Sequence, residues 1–108
     1  MKATTRDVND IAIIKVDGKI TIGAGDQQLR DVIAGASSKK ILLDLSGVTT
    51  IDSSGIGELV GSYTTVTNKG GKLKLLHLPA KLNELLHVTQ LITVFEVYEN
   101  EQEAIASF

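Results

Sequence analysis

Ile41-Leu42-Leu43-Asp44-Leu45-Ser46-Gly47-Val48-Thr49-Thr50-Ile51-Asp52-Ser53-Ser54-Gly55-Ile56-Gly57-Glu58-Leu59 is the stretch that decides the fold. Its first five residues are nearly all apolar. A strand buried on both faces reads this way, and such strands belong to parallel sheets covered by helices. Ser46 to Asp52 reads as a connector with Val48 and Ile51 anchored inside. From Ser54 to Lys69 the period becomes helical, and Ile56, Leu59, Val60, Tyr63 and Val66 share a face. Gly57 and Gly61, one turn apart on a neighbouring stripe, remove bulk there. The same spacing serves packing against the domain's own sheet or the approach of a partner. Asn68-Lys69-Gly70-Gly71 ends the helix, with Lys at the negative end of the dipole and glycine for a left-handed cap.

Working outward, Ala3–Val8 and Ile11–Val16 read as two strands around an Asn9-Asp10 turn, a hairpin. Asp17-Gly18 ends or turns the second strand, and Ile20 and Ile22 can prolong extended chain. Between Ala24 and Ala36, the residues Leu29, Val32, Ile33 and Ala36 mark a helix face. On the other side, Lys72–Leu78 reads as a strand. Pro79 opens a helix whose apolar face is Leu82, Leu85 and Leu86. Val94–Tyr98 alternates like a half-buried strand, and Asn100 with Glu103 forms a capping pair for a last helix carrying Ala104, Ile105 and Phe108. The order β-β-α-β-α-β-α-β-α predicts an α/β fold: one mixed, mostly parallel sheet of four to five strands with about four helices, in a single domain over 1–108.

Composition narrows the function classes. Hydrophobic residues are 43% of the 108, enough for a core in one domain. Lys plus Arg is 11 against 13 Asp plus Glu, a net charge of -2, which argues against a nucleic-acid-binding face. With no cysteine, disulfides, thiolate metal sites and cysteine nucleophiles are excluded. Met1 to Asp10 is polar and lacks a signal-peptide core, and no apolar run approaches the roughly 20 residues that span a bilayer. A soluble, cytoplasmic protein is expected. His77, on the strand Lys72–Leu78, and His87, near the end of the third helix, are too few to build a metal site. Gly23-Ala24-Gly25 lacks the third glycine of a dinucleotide loop and the Lys-Ser/Thr of a P-loop. No Gly-x-Ser-x-Gly elbow surrounds either serine of the decisive stretch. The expectation is no cofactor, no metal, no catalytic residue and no enzyme.

The loop from Ile51 into the second helix carries the most information. A chain entering a helix N-terminus presents free N–H groups and the positive end of the macrodipole, a place suited to an anion such as a phosphate on serine. Asp52, Ser53 and Ser54 are each good N-cap residues, so capping accounts for any one of them. It does not account for two serines and two glycines together.

Asp52-Ser53-Ser54-Gly55-Ile56-Gly57 resembles the Asp-Ser-Ser-Gly-Leu-Gly signature of bacterial anti-sigma factor antagonists and their wider STAS family. The preceding Ile41–Val48, the turn Asn68–Leu73, and the strand Ile11–Val16 followed by Gly18 are similar to family elements in the same order. The resemblance therefore covers nearly the whole chain. It implies that Ser53 is phosphorylated by an anti-sigma factor that is itself an ATP-using serine kinase. It implies that the unphosphorylated protein binds this kinase and frees a sigma factor, and that a serine phosphatase resets the phosphorylated form. The expected partner face is Asp52, Ser53, Ser54, Gly55, Gly57, Glu58 and Gly61. Where many members carry an acidic residue after the second strand, Gly18-Lys19-Ile20-Thr21 has Thr21, and Asp26 is the candidate substitute. The alternative role is a STAS subunit of a lipid-transport ATPase or stress-signalling complex.

Overall fold

The computed structural model describes residues 1–108. Five strands form one sheet in the order β1-β2-β3-β4-β5: β1 is Lys2–Val8, β2 Ile11–Ile20, β3 Lys40–Ile51, β4 Lys72–Leu76 and β5 Val97–Tyr98. β1 and β2 are antiparallel, and every other neighbouring pair is parallel. Four helices complete the chain: α1 Gly25–Ala34, α2 Ser53–Asn68, α3 Ala80–Val88 and α4 Glu101–Ala106. The α/β architecture and the element order are those the sequence predicts.

Strand alternation sends residues to two faces. Ile14, Val16, Ile41, Leu43, Leu45, Leu73 and Leu75 pack with Leu29 and Ile33 of α1, Leu59 and Val66 of α2, and Leu82 and Leu86 of α3. Ile11, Ile13, Leu42 and Leu76 point the other way, where Ala104, Ile105 and Phe108 from the α4 region cover them. The apolar run Ile41–Leu45 thus reflects burial on both faces, with Asp44 alone half-exposed.

Three boundaries differ from the sequence reading. Ser46–Ile51 is not a connector: β3 continues through it, because β2 also continues and pairs alongside as far as Ile20 and Ile51. The paired stretch contains two register shifts, and Gly18 there adopts φ +100. Val94–Tyr98 is not a five-residue strand. Gln90 turns the chain at φ +63, Leu91–Thr93 makes a 3-10 turn, and only Val97–Tyr98 pairs with β4. Phe95 is buried there, edge-on to Tyr63 at 5.4 Å between ring centroids. Its apolar character serves the core and not a strand alternation. β4 stops at Leu76, so His77 lies just beyond the strand, in a left-handed turn at φ +56.

Lys74 sits in β4 and is 3% exposed, a buried cation that strand periodicity does not reveal. Its Nζ donates to the Ser107 carbonyl at 2.8 Å and to Ser107 Oγ at 2.9 Å, and pairs with Glu96 at 3.1 Å. The Phe108 ring lies 4.7 Å away. A positive charge at the C-terminal end of α4 meets the negative end of its dipole, and the ring face adds a cation–π contact. Lys74 therefore fastens α4 to the sheet.

Candidate functional site

The parallel strands deliver β2, β3 and β4 to one end of the sheet, where the loops into α1, α2 and α3 lie side by side. Ser53 opens α2 there and is exposed. Of the three residues able to cap, Asp52 does so: its extended backbone (φ -109, ψ -174) brings Oδ1 to the Gly55 N–H, which donates to it at 3.0 Å. Ser53 is thereby left out of the capping role. The other carboxylate oxygen accepts from the Ile22 N–H at 3.0 Å, tying the β2–α1 loop to the start of α2. These amides, Gly55 first and then Ile22, hold the Asp52 carboxyl below its ordinary value.

Gly55 is buried because the β2 end packs directly on it. A Cβ would strike the Ile20 carbonyl oxygen and come within 2.7 Å of Ile51 Cγ1. Gly25 at the start of α1 is constrained in the same way, by Lys19 and Ile20 backbone. That close approach is the reason for the glycine in the Gly23-Ala24-Gly25 stretch. Gly57 and Gly61 behave oppositely. Both are exposed; a Cβ on Gly57 meets nothing within 4 Å, and one on Gly61 only Glu58 Oε2 at 3.9 Å. They do not serve packing against the domain's own sheet.

Between α1 and α2 runs an open groove of about 720 Å³, whose lining includes Asp26, Arg30, Ser54, Gly57, Glu58 and Gly61. Glu58 forms its wall. The side chain is only 9% exposed; Oε1 accepts from Arg30 Nε at 2.9 Å and Oε2 from Ser62 Oγ at 3.1 Å. In the free chain it clamps α1 to α2. The expected site residues therefore divide. Ser53, Gly57 and Gly61 are exposed, Asp52 and Ser54 are half-buried, and Gly55 and Glu58 are turned to internal contacts. Thr21 is half-buried, and Asp26 and Ser54 both line the groove.

Two residues of this region escaped sequence reasoning. Arg30 lies outside the apolar face that marked α1, and its partner Glu58 is 28 residues away, so no local pattern marks it. Ile22 does not prolong β2: it leaves the strand and stands 74% exposed. The backbone N–H of His77 donates to the Tyr98 carbonyl at 2.9 Å, and His87 Nδ1 lies 2.7 Å from the Asn83 carbonyl oxygen. No three His, Asp or Glu side chains gather into a metal-holding group. No helix is long and apolar enough to cross a membrane.

The STAS domain pattern matches residues 2–104, and the chain belongs to that family. An anti-sigma F factor antagonist of Paenibacillus polymyxa is 26% identical over 98 residues, which cover 88% of this chain and 84% of the relative. The protein TM1081 of Thermotoga maritima superimposes with a TM-score of 0.88 at 24% identity, over 97% of this chain and 92% of the other. The Bacillus cell fate determinant SpoIIAA in its phosphorylated form gives 0.75 at 20% identity, over 98% of each chain. The likeness to these solved structures establishes the fold. STAS anti-sigma factor antagonists are regulatory binding proteins and not enzymes.

Proposed function

We propose that this STAS-domain protein is an anti-sigma factor antagonist whose partner is an anti-sigma factor serine kinase, and that phosphorylation of Ser53 releases the complex. A serine phosphatase resets the switch, and sigma-factor-dependent transcription is the output. The observation that carries the reading is the division of labour at the start of α2. Asp52 caps the helix and Gly55 makes room for β2, so neither task falls to Ser53, whose side chain is exposed at the surface.

A phosphate there adds about -1.5 to -2 charges. The α2 dipole favours it by about 0.3–1 kcal/mol, and no core contact has to open. The fold tolerates the modification. A partner packed over Ser53 instead meets an uncompensated dianion, and burying such a charge costs several kcal/mol. Since about 1.4 kcal/mol is tenfold in affinity, that cost dissociates a complex.

The test is affinity capture from cell lysate with wild type, Ser53→Ala and Ser53→Asp, with mass spectrometric identification. A kinase-type ATPase retained by the first two and lost from Ser53→Asp is the expected result. Transport components retained equally by all three would assign the protein instead to a transport assembly, with Ser53 a surface residue of α2.

A further inference from the structure

Ile22 is exposed where its own sequence pattern would bury it. Residues two apart on a strand share a face. Ile20 is fully buried, and Ile22 is 74% exposed. The chain turns between them, and the Ile22 N–H donates to the Asp52 carboxylate at 3.0 Å. The residue that caps α2 therefore also ties the Ile22 backbone to the turn from which Ser53 follows. Gly23, at φ +95 with open space around it, and exposed Ala24 keep the neighbourhood low, so the isoleucine stands proud of its loop. Only one other large apolar side chain is comparably exposed: Val88, at the far end of α3.

We infer that Ile22 is the apolar anchor of the partner-binding face. It would fill an apolar recess on the anti-sigma factor kinase next to the point where that kinase covers Ser53. This rests on the function proposed above and adds a contact to it. Small-residue surroundings let a partner close over the isoleucine and exclude water, the condition under which one side chain dominates an interface. The geometry also explains why a phosphate on Ser53 acts so sharply. The dianion would have to be desolvated where the partner closes over an apolar contact.

The test is calorimetric titration of the purified anti-sigma factor kinase with wild type, Ile22→Leu, Ile22→Asp, Val88→Asp and Ser53→Asp. Ile22→Asp is expected to weaken binding about thirtyfold or more, and Ile22→Leu by less than about threefold. Val88→Asp, equally exposed but distant, is expected to bind as wild type. Thermal melts of the two Ile22 variants should match wild type, since the side chain has no core contact to lose. Wild-type affinity in Ile22→Asp overturns the anchor while a loss in Ser53→Asp keeps the switch. The converse pair of results keeps the anchor and removes the switch. A wild-type chain that does not bind the kinase overturns both.

Discussion

Asp52 and Asn100 cap α2 and α4 with the same local geometry, each side-chain oxygen accepting from the N–H three residues on at 3.0 Å. At α4 the matter ends there. At α2 the second carboxylate oxygen reaches thirty residues back along the chain to the Ile22 N–H. The residues that supply the amides differ too. Gly55 has β2 pressed against it, whereas Glu103 is exposed. One short-range motif is thus a terminus in one place and a junction in the other. The junction is where an exposed serine and an exposed isoleucine are brought together.

The largest effect should come from the packing difference. Gly55→Ala is expected to destabilise by about 3 kcal/mol in urea unfolding, because its Cβ drives into the Ile20 carbonyl and Ile51. Glu103→Ala at the corresponding position of α4 should cost less than about 0.5 kcal/mol. Equal costs would break the comparison.

Next come the caps themselves. Asn100→Ala should cost about 1 kcal/mol, the usual value for a lost N-cap. Asp52→Ala should lower the melting temperature further and speed hydrogen exchange at the Ile22 amide, which no change at α4 can do. An Ile22 amide that stays protected would show that the loop holds itself.

The junction should also be sensitive to acid in a way the neutral Asn100 cap is not. The Asp52 carboxyl is held below its ordinary value of 3.8 by the Gly55 and Ile22 amides. A depressed native value means stability that is present above the unfolded value and lost as pH falls through the folded one. The melting-temperature advantage of wild type over Asp52→Asn should therefore be constant from neutral pH down to about 5. It should shrink below that, first as the unfolded carboxyl takes up its proton around 3.8 and until the folded one does so at lower pH. An advantage that persists unchanged at lower pH would mean that it does not come from the ionised carboxylate.

The smallest effect has the opposite sign. Gly57→Ala has open space for its Cβ and should stabilise α2 by about 0.5–1 kcal/mol through helix propensity. If the same variant binds the kinase less tightly, the absence of a side chain at Gly57 serves the partner's approach. Unchanged binding would confine the contact to the Ile22 and Ser53 end.

Much of this protein is determined by its sequence alone. The element order follows from local patterns: a β-branched run at Ile11–Val16 after the Asn9-Asp10 turn, a nearly unbroken apolar run at Ile41–Leu45, and a 3.6-residue period through Leu59 and Val66. Each is set by which faces are buried, so the pattern is written along the chain. The Asn100 cap is legible because donor and acceptor lie three residues apart, whereas three adjacent candidates at α2 left the choice of Asp52 to the structure. The tertiary structure decided what depends on distant partners. β3 runs on through Ser46–Ile51 because β2 lies beside it and supplies the ladder. Val94–Phe95 serves the core because Tyr63 meets the Phe95 ring. Lys74 is buried because the α4 end, Glu96 and two aromatic rings gather around its charge. Gly55 and Gly57 are the same residue two positions apart in one motif, yet only the fold shows that one faces β2 and the other open space. Ile22 is the furthest case. The sequence lets Ile20 and Ile22 prolong one extended chain; in the fold β2 ends at Ile20, the Ile22 N–H is bonded to a carboxylate thirty residues away, and the side chain stands exposed.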